Sequence, residues 1–235
     1  MLLLRSILFN FFLYIGIVVV FLIAIPALFL PSKVTLMFGK FLGHYVVFAV
    51  RVFLNTKVEF KGIENIPKSE KYFLASAHQS MFETFALQSI LDYPVFILKK
   101  ELLKIPIFGL YLKKIGSVSI NRNKTTKENL NFFDEILNVV KNSNRPLLIF
   151  PQGTRLLPKE RNKFKKGVSR IYDSLKIKCQ PIAINSGYVW PKTMSMSKNR
   201  TITVSILKSI EPGLNKNDFL NVLEKNIYSE LDKIN

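Results

Sequence analysis

Apolar residues dominate the first part of the chain and then give way to shorter patterns. Residues 7–30 are almost wholly apolar, and this run exceeds the about 20 residues that a helix needs to cross a bilayer core. Pro26 interrupts the run, so the sequence is consistent with a tilted or re-entrant segment as well as with a full span. Residues 34–54 are apolar but contain lysine, histidine and arginine. This second stretch favours a helix at the membrane interface, with its basic groups among the headgroups.

After residue 55, short apolar or alternating runs are separated by helical repeats. Strands are predicted at 57–60, 72–76, 95–98, 116–120, 147–150, 181–184 and 201–207. Helices are predicted at 81–91, about 125–141 and 217–235. The buried face of the second helix is predicted from apolar residues at helical spacing, which are Leu130, Phe133, Leu137 and Val140. Strands interleaved with helices indicate an α/β domain with a central mixed sheet flanked by helices.

The change of pattern predicts two parts. Residues 1–55 form a membrane-anchoring helical region, and residues 56–235 form one catalytic α/β domain. Basic residues follow the first apolar segment and continue through the rest of the chain. Because basic flanks stay on the cytoplasmic side of a membrane, we expect a protein of the cytoplasmic (inner) membrane whose main domain faces the cytoplasm.

Charge narrows the choice of partners only partly. The formal net charge is +18, and no acidic residue precedes Glu59. Such a chain suits nucleic acid, anionic lipid or phosphorylated small molecules, and charge alone does not select among them. Cys179 is the single cysteine, and its setting in an apolar strand pattern indicates a buried thiol rather than a nucleophile.

The segment AHQSMFET places His78 directly after a predicted strand and Glu83 five residues later. Within a regular helix these positions lie roughly 140° apart and cannot meet. They meet only if His78 stands at the helix entry and Glu83 turns back from the first turn. The carboxylate then accepts a hydrogen bond from the N–H of one imidazole nitrogen, and the other nitrogen is left free to act as a base. Taken alone, the pair favours a structural histidine beside a solvent-facing glutamate, because this spacing is common by chance.

Three further segments change that interpretation. They are GSVSINR (116–122), FPQGTR (150–155) and QPIAINSG (180–187). Together with AHQSMFET, and in this order, they resemble the conserved blocks of the 1-acyl-sn-glycerol-3-phosphate (lysophosphatidate) acyltransferase family, bacterial type. The resemblance runs from Lys71 to Gly187, and the apolar N-terminal region is also similar. It implies a glycerol-3-phosphate acyltransferase-like α/β fold.

The resemblance also implies a reaction. An acyl group passes from acyl-CoA or acyl carrier protein to the sn-2 hydroxyl of lysophosphatidate, which gives phosphatidate for phospholipid biosynthesis. His78 is then the base that deprotonates the hydroxyl, and Glu83 orients it. Glycerol-phosphate binding falls to Arg122, Gly153, Thr154 and Arg155. The chemistry agrees, since the planar fork of arginine and the N–H groups of a glycine turn suit a phosphate monoester. Beyond the acyl thioester, we expect no cofactor and no metal.

Two residues depart from the family pattern. The acid of the first block is usually Asp, and this chain has Glu83, whose longer side chain still reaches an imidazole. The third block usually reads FPEGTR, and here Gln152 replaces the glutamate. Gln152 keeps hydrogen-bonding capacity but loses the charge, which puts an electrostatic duty at this position in doubt and leaves room for a different acceptor.

The segment LLPKERNKFKKG (156–167), here called the basic loop, follows Arg155 directly. A solvated loop is the usual interpretation of such a run. Its position favours a second one, in which Lys163, Lys165 and Lys166 contact an anionic acyl donor or the anionic membrane surface. Acyl carrier protein is one such donor.

Alternatives remain open from the sequence. The same chemistry fits another lysophospholipid or a lyso-aminolipid as acceptor. A different class is a non-catalytic basic protein that tethers nucleic acid or a partner to the membrane. No nucleic-acid-binding module is recognisable, so we expect no nucleic-acid partner. A serine hydrolase is disfavoured because the chain has no G-x-S-x-G elbow.

Overall fold

The helices and strands of the chain follow its apolar pattern. The structure is a computed structural model that describes residues 2–120, 128–193, 196–197 and 200–234. Its α-helices are α1 (Leu2–Ile23), α2 (Ser32–Phe53), α3 (Phe82–Ile90), α4 (Phe108–Lys114), α5 (Glu128–Asn142), α6 (Gly167–Leu175) and α7 (Lys216–Ile234). Its strands are β1 (Lys57–Lys61), β2 (Tyr72–Ser76), β3 (Val95–Lys99), β4 (Val118–Ile120), β5 (Leu147–Ile149), β6 (Lys178–Ile184) and β7 (Thr201–Ile206). Short 3₁₀ helices lie at Ile25–Leu28, Ile63–Asn65, Lys100–Lys104 and Ser186–Tyr188.

The strands form one mixed sheet in the order β1-β7-β6-β2-β5-β3-β4. β6 and β7 pair antiparallel, and the other neighbouring pairs are parallel. Parallel strands are covered by helices on both faces, which is why β2, β5 and the second half of β6 (181–184) read as apolar runs. The predicted central mixed sheet flanked by helices is confirmed.

The carboxyl ends of the central strands meet at one edge of this sheet. β2 lies between β5 and β6 and runs parallel to both, with Ala75 opposite Ile149 and Pro181. The segments that follow these three strands are AHQS, FPQGTR and NSG. Ligand sites of open α/β sheets lie at this kind of edge. The fold therefore collects three of the four sequence blocks in one place.

Helix α7 closes one face of the domain. Its four fully buried apolar residues recur every fourth position and are Phe219, Leu223, Ile227 and Leu231. The ring of Phe219 stacks on Tyr172 of α6, with centroids 3.8 Å apart. Burying side chains of this size stabilises the fold by about 1.5–3 kcal/mol each. The predicted C-terminal amphipathic helix is confirmed.

The predicted buried face of α5 is right at Val140 and wrong at Phe133 and Leu137, where the buried stripe lies one residue earlier. Phe132, Ile136 and Val140 are buried, whereas Phe133 and Leu137 are only half-buried; the side chain of Leu130 lies outside the described part of the chain. One residue turns a helix by roughly 100°, so a small error of phase exchanges the neighbouring stripes. Phe133 instead lies under the guanidinium of Arg170, 5.9 Å from its ring centroid.

Helices α1 and α2 form an antiparallel hairpin. Near its open end the ring of Phe12 stacks on Phe53, and near the turn the Thr35 hydroxyl donates to the Ala27 carbonyl. Both helices are long and apolar enough to cross a membrane, with 17% and 33% of their apolar windows buried in the protein. Pro26 lies in the 3₁₀ turn that ends the first apolar segment. The large exposed apolar area indicates membrane association.

Both ends of α1 rest on the α/β domain. Phe9 meets Trp190 edge-to-face at 5.0 Å, and the Tyr111 hydroxyl donates to the Phe21 carbonyl at 2.7 Å. Phe21 also stacks on the Tyr111 ring. The hairpin therefore lies along the domain instead of projecting away from it.

Candidate active site

His78 stands between the end of β2 and the start of α3. Its backbone N–H donates to the Gln152 side-chain oxygen at 2.6 Å, and its carbonyl accepts from the Leu156 N–H at 2.9 Å. These two bonds tie the first block to Gln152 of the FPQGTR turn (150–155) and to Leu156, the residue directly after that turn. The Phe150 ring stacks on the imidazole, with centroids 4.0 Å apart. The backbone and ring of His78 are thus held by residues that come from the end of β5.

Glu83 reaches back from the first turn of α3 to the imidazole. Its Oε1 lies 3.0 Å from His78 Nδ1 and accepts the backbone N–H groups of Gln79 at 2.6 Å and Ser80 at 2.7 Å. Helical side chains lean toward the helix N-terminus, which makes this geometry available at α3's second residue. The Ser80 hydroxyl accepts the Phe82 N–H at 3.0 Å at the same helix entry. The structure therefore brings His78 and Glu83 together at the helix entry.

The pair leaves one imidazole nitrogen available. A carboxylate only accepts hydrogen bonds, so this contact needs a proton on Nδ1 of His78, and in the neutral imidazole Nε2 then keeps a lone pair. The side chain of Glu83 is 0% exposed, and that of His78 is 14% exposed. A buried carboxylate behind a partly open imidazole is suited to general-base chemistry on a substrate hydroxyl.

The FPQGTR turn needs its glycine. Gly153 has φ +74°, a left-handed conformation that side chains with a Cβ rarely adopt, and its N–H donates to the Phe150 carbonyl. A Cβ at this position would also lie 3.3 Å from Cγ of Lys165. Directly after this glycine, Thr154 is exposed and Arg155 is half-buried. Both therefore project from a fixed backbone beside His78.

Gln152 has a structural task that explains its side chain. It is buried, its oxygen accepts the His78 N–H, and it hydrogen-bonds to the Tyr228 hydroxyl of α7. Burial raises the pKa of the Tyr228 phenol, and the hydrogen bond from Gln152 opposes that rise. The same hydroxyl donates to the carbonyl of Asn162 in the basic loop. The Gln152 amide suits this position because its oxygen accepts from the His78 N–H while its NH₂ group donates to the Tyr228 hydroxyl.

Arg122 lies outside the described residues. β4 ends two positions before it, at Ile120, which pairs with Lys99 at the carboxyl end of β3. Lys99 is exposed at the same edge of the sheet as His78. Lys99 was not predicted as a site residue, although a basic residue directly after a predicted strand is a recognisable signal.

The basic loop is fastened to α7. Arg161 pairs with Asp232 at 2.7 Å, and the Phe164 N–H donates to Glu224 at 3.0 Å. Lys163, Lys165 and Lys166 are all exposed on this loop. The anchoring contacts use Arg161 and Phe164, so the three lysines present their charge to solvent from a fixed position.

Two hydrogen bonds of the site, made by Ser186 and Gly187, were not predicted. The Ser186 hydroxyl donates to Oε2 of Glu83 at 2.7 Å, and the Gly187 N–H donates to the Gln79 side chain at 3.1 Å. Both bonds join the NSG turn after β6 to the first block. Their signal in the sequence is a polar segment directly after a buried strand.

Cys179 does not take part in the site. Its side chain is fully buried in β6, and burial raises the pKa of its thiol well above the usual range. A thiol in this state is a poor nucleophile. The interpretation of Cys179 as a buried thiol is confirmed.

The His78–Glu83 pair lies at the carboxyl ends of parallel strands, beside the FPQGTR turn, which is where open α/β sheets place their ligand sites. The Acyltransferase family model matches residues 57–185, more than half of the chain. The chain belongs to this family.

Curated relatives share one description, 1-acyl-sn-glycerol-3-phosphate acyltransferase. The protein of Pseudomonas aeruginosa is 33% identical over 165 residues, covering 69% of this chain and 62% of the relative. That of Saccharomyces cerevisiae is 30% identical over 166 residues, covering 68% of this chain and 54% of the relative. The matched region of the chain thus spans between half and two thirds of these relatives' length.

A solved structure shares the fold. The crystal structure of the 1-acyl-sn-glycerophosphate (LPA) acyltransferase PlsC from Thermotoga maritima matches with a TM-score of 0.81 and 20% sequence identity. The match covers 98% of this chain and 97% of that one, so the N-terminal hairpin is included. At this identity the likeness shows the fold.

Proposed function

We propose that the protein transfers an acyl group from an acyl thioester to the sn-2 hydroxyl of lysophosphatidate, forming phosphatidate. The observation that carries the proposal is the His78–Glu83 contact at 3.0 Å, with the second imidazole nitrogen left available beside the FPQGTR turn. Family membership and the shared description of the relatives support the reaction class.

The reaction balances without a covalent enzyme intermediate. Nε2 of His78 takes the proton of the sn-2 hydroxyl while the oxygen attacks the thioester carbonyl. The tetrahedral intermediate then breaks its C–S bond, and the thiol leaves with the proton that His78 returns. Glu83 holds the imidazole tautomer and stabilises the transient imidazolium. The products are phosphatidate and free CoA or free carrier protein.

The phosphate of the acceptor is assigned to the positions beside His78. Thr154 and Arg155 follow Gly153, whose backbone lets the turn approach the phosphate closely. Arg122 is also proposed to bind this phosphate. Guanidinium groups bind a phosphate monoester bidentately, which fixes the glycerol carbon chain relative to the base.

The acyl donor is assigned to the basic loop. Acyl-CoA and acyl carrier protein are both strongly anionic, and Lys163, Lys165 and Lys166 are exposed on a loop anchored by Arg161. Fixed positive charge raises the local concentration of an anionic donor.

The membrane assignment rests on the hairpin. Its apolar exposed residues include Phe29, Phe41 and Phe48, and the chain's net charge is +18. An apolar surface with basic surroundings binds an anionic bilayer, which is where both the lysolipid and its product reside. We place the protein at the cytoplasmic membrane with its α/β domain facing the cytoplasm.

The test is an acyl-transfer assay on purified protein with labelled oleoyl-CoA or oleoyl carrier protein. Acceptors are lysophosphatidate, lysophosphatidylethanolamine, lysophosphatidylglycerol and a lyso-aminolipid. We expect labelled phosphatidate as the dominant product, and preference for another acceptor would overturn the choice of lysophosphatidate.

The matched control compares the two histidines of the chain. His78→Ala removes the base, and we expect kcat to fall on the order of 10²–10⁴-fold. His44→Ala changes an exposed histidine of α2, and we expect it to keep wild-type turnover. Full activity of folded His78→Ala would refute the role of the base.

A further inference from the structure

The carboxylate of Glu83 uses both of its oxygens. Oε1 contacts the imidazole of His78 and the N–H groups of Gln79 and Ser80. Oε2 accepts the hydroxyl of Ser186 at 2.7 Å. Glu83 and Ser186 are both 0% exposed, so water does not substitute for either partner. The hydrogen bond from Ser186 therefore restricts rotation of the Glu83 carboxylate about its last side-chain bond.

Hydrogen bonds of Asn185 and Ser186 fix the backbone that positions the Ser186 hydroxyl. Asn185 accepts the Thr203 N–H at 2.7 Å and donates to the Ile234 carbonyl at 2.6 Å. The Ser186 carbonyl accepts the N–H groups of Val189 and Trp190. These contacts fix the turn on β7, α7 and its own 3₁₀ helix. Ser186 consequently has little freedom to move away from Glu83.

Gly187 lets the turn after β6 pack closely against the AHQSMFET segment. The Gly187 N–H donates to the Gln79 side chain, and a Cβ at Gly187 would lie 2.9 Å from Cβ of Gln79. The turn after β6 and the entry of α3 are thus in direct contact over two consecutive residues. Glu83 lies where these two segments meet.

The length of Glu83 matters for this contact. An aspartate at this position would hold its carboxylate one C–C bond, about 1.5 Å, nearer the backbone. A carboxylate so placed could not keep the His78 contact and the Ser186 contact together. The glutamate and the serine therefore act as a pair.

We propose that Ser186 is a positioning residue for acyl transfer, which acts through Glu83 on the orientation of the His78 imidazole. This inference rests on the proposed function. Ser186 touches neither substrate, and its effect is to keep Glu83 aligned so that Nε2 of His78 faces the acceptor hydroxyl. Misalignment slows the chemical step and leaves substrate binding unchanged, because the phosphate contacts lie elsewhere.

Ser186→Ala removes the hydroxyl and leaves a buried carboxylate oxygen without its donor. We expect kcat to fall roughly ten- to hundredfold, the loss that corresponds to one hydrogen bond to a charged group. KM for lysophosphatidate stays within about twofold, since binding contacts are unaffected. Ser186→Thr keeps a hydroxyl, and we expect it to restore most of the turnover. An unchanged kcat in Ser186→Ala overturns the inference.

A double-mutant cycle separates positioning from general damage. Glu83→Asp shortens the carboxylate and breaks the Ser186 contact by itself, so adding Ser186→Ala to it lowers kcat by less than about twofold further. Equal losses from Ser186→Ala in both backgrounds overturn the inference. If Ser186→Ala does not fold, Ser186→Cys keeps the volume with a weak donor and is expected to show the same loss of kcat.

The chain offers a matched control for the loss of a buried bond. The Ser205 hydroxyl of β7 donates to the Glu230 carboxylate of α7, also at 2.7 Å, and Ser205 is also buried. We expect Ser205→Ala to keep wild-type kcat. A parallel loss of kcat and thermal stability in Ser186→Ala and Ser205→Ala overturns the positioning role. Wild-type protein that forms no phosphatidate refutes the proposed function instead, and that outcome is seen before any variant is made.

Discussion

The side-chain oxygen of Gln152 accepts the backbone N–H of His78 at 2.6 Å. Through this bond the turn after β5 holds His78, two residues after the end of β2, although the two residues lie far apart in the chain. The same side chain meets the Tyr228 hydroxyl of α7. The position that departs from the family's FPEGTR block therefore links three segments of the α/β domain.

Gln152 variants test whether this position acts as an acceptor. Glutamate also supplies an oxygen to the His78 N–H, whereas alanine leaves that buried donor without a partner. We expect Gln152→Glu to keep kcat within several-fold and Gln152→Ala to lose roughly tenfold or more. Steady-state kinetics with lysophosphatidate provides the comparison. Equal loss in both variants would contradict the acceptor role.

The Gln152→Glu variant also tests the suspected change of acceptor. Because the side chain points to His78 N–H and Tyr228, we expect the order of preference among lysolipid headgroups to stay the same. A reversed order in the headgroup panel would show that residue 152 selects the acceptor.

The lysines of the basic loop should act on the donor. Replacing Lys163, Lys165 and Lys166 by serine removes three charges without touching the Arg161–Asp232 pair. We expect KM for the acyl donor to rise several-fold at low salt, with the difference shrinking as ionic strength increases. KM for lysophosphatidate should stay the same.

A charge-matched control for this variant is available elsewhere in the chain. Lys57, Lys61 and Lys216 pair with carboxylates on β1 and α6 and lie outside the basic loop. Their replacement by serine changes the formal charge equally. If it raises KM for the donor by the same factor, net charge rather than the basic loop attracts the donor.

Arg145 offers a test of stability that is separate from the site. Its guanidinium donates to the carbonyls of Tyr93, Ile115 and Pro94, and burial lowers its pKa. Lysine cannot make this fork of bonds. We expect Arg145→Lys to destabilise the protein by about 1–3 kcal/mol while the turnover of folded protein is retained.

Thermal unfolding in detergent measures the effect of Arg145→Lys. Arg170→Lys is the control, because Arg170 is exposed on α6, and its loss should stay within about 0.5 kcal/mol. Equal melting temperatures for the two variants would contradict the structural role of Arg145.

Local patterns predicted much of the fold and of the site. The apolar runs of β2, β5 and the second half of β6 (181–184) are continuous because parallel strands are buried on both faces, so they are visible in the sequence. The meeting of His78 and Glu83 was also predictable, since Ser80 and Glu83 have the S-x-x-E spacing of a capping box. In the structure Glu83 accepts the Ser80 N–H in this manner.

Contacts between distant segments were not predictable from one sequence. Ser186 lies 103 positions from Glu83, and nothing in the local pattern specifies which strand end packs beside the entry of α3. The phase of α5 was missed because two adjacent apolar stripes, one through Phe132 and one through Phe133, fit the helical repeat equally well. Only the position of α5 on the sheet decides between them.

The exposed phenylalanines of the hairpin should carry membrane binding. Phe29 is 87% exposed and Phe41 is 58% exposed, and neither contributes to the core of the α/β domain. Burying each ring in the acyl boundary of a bilayer contributes about 1.5–3 kcal/mol. We expect the double variant Phe29→Asp and Phe41→Asp to lower partitioning into anionic vesicles at least tenfold, measured by co-sedimentation.

The control is the double variant Ile63→Asp and Leu214→Asp, which places the same charges on apolar residues of the α/β domain that are 46% and 39% exposed. This variant should bind vesicles like the wild type. Equal loss in both pairs would mean that added negative charge, rather than the missing apolar contact, weakens binding, and the hairpin would lose its assigned role.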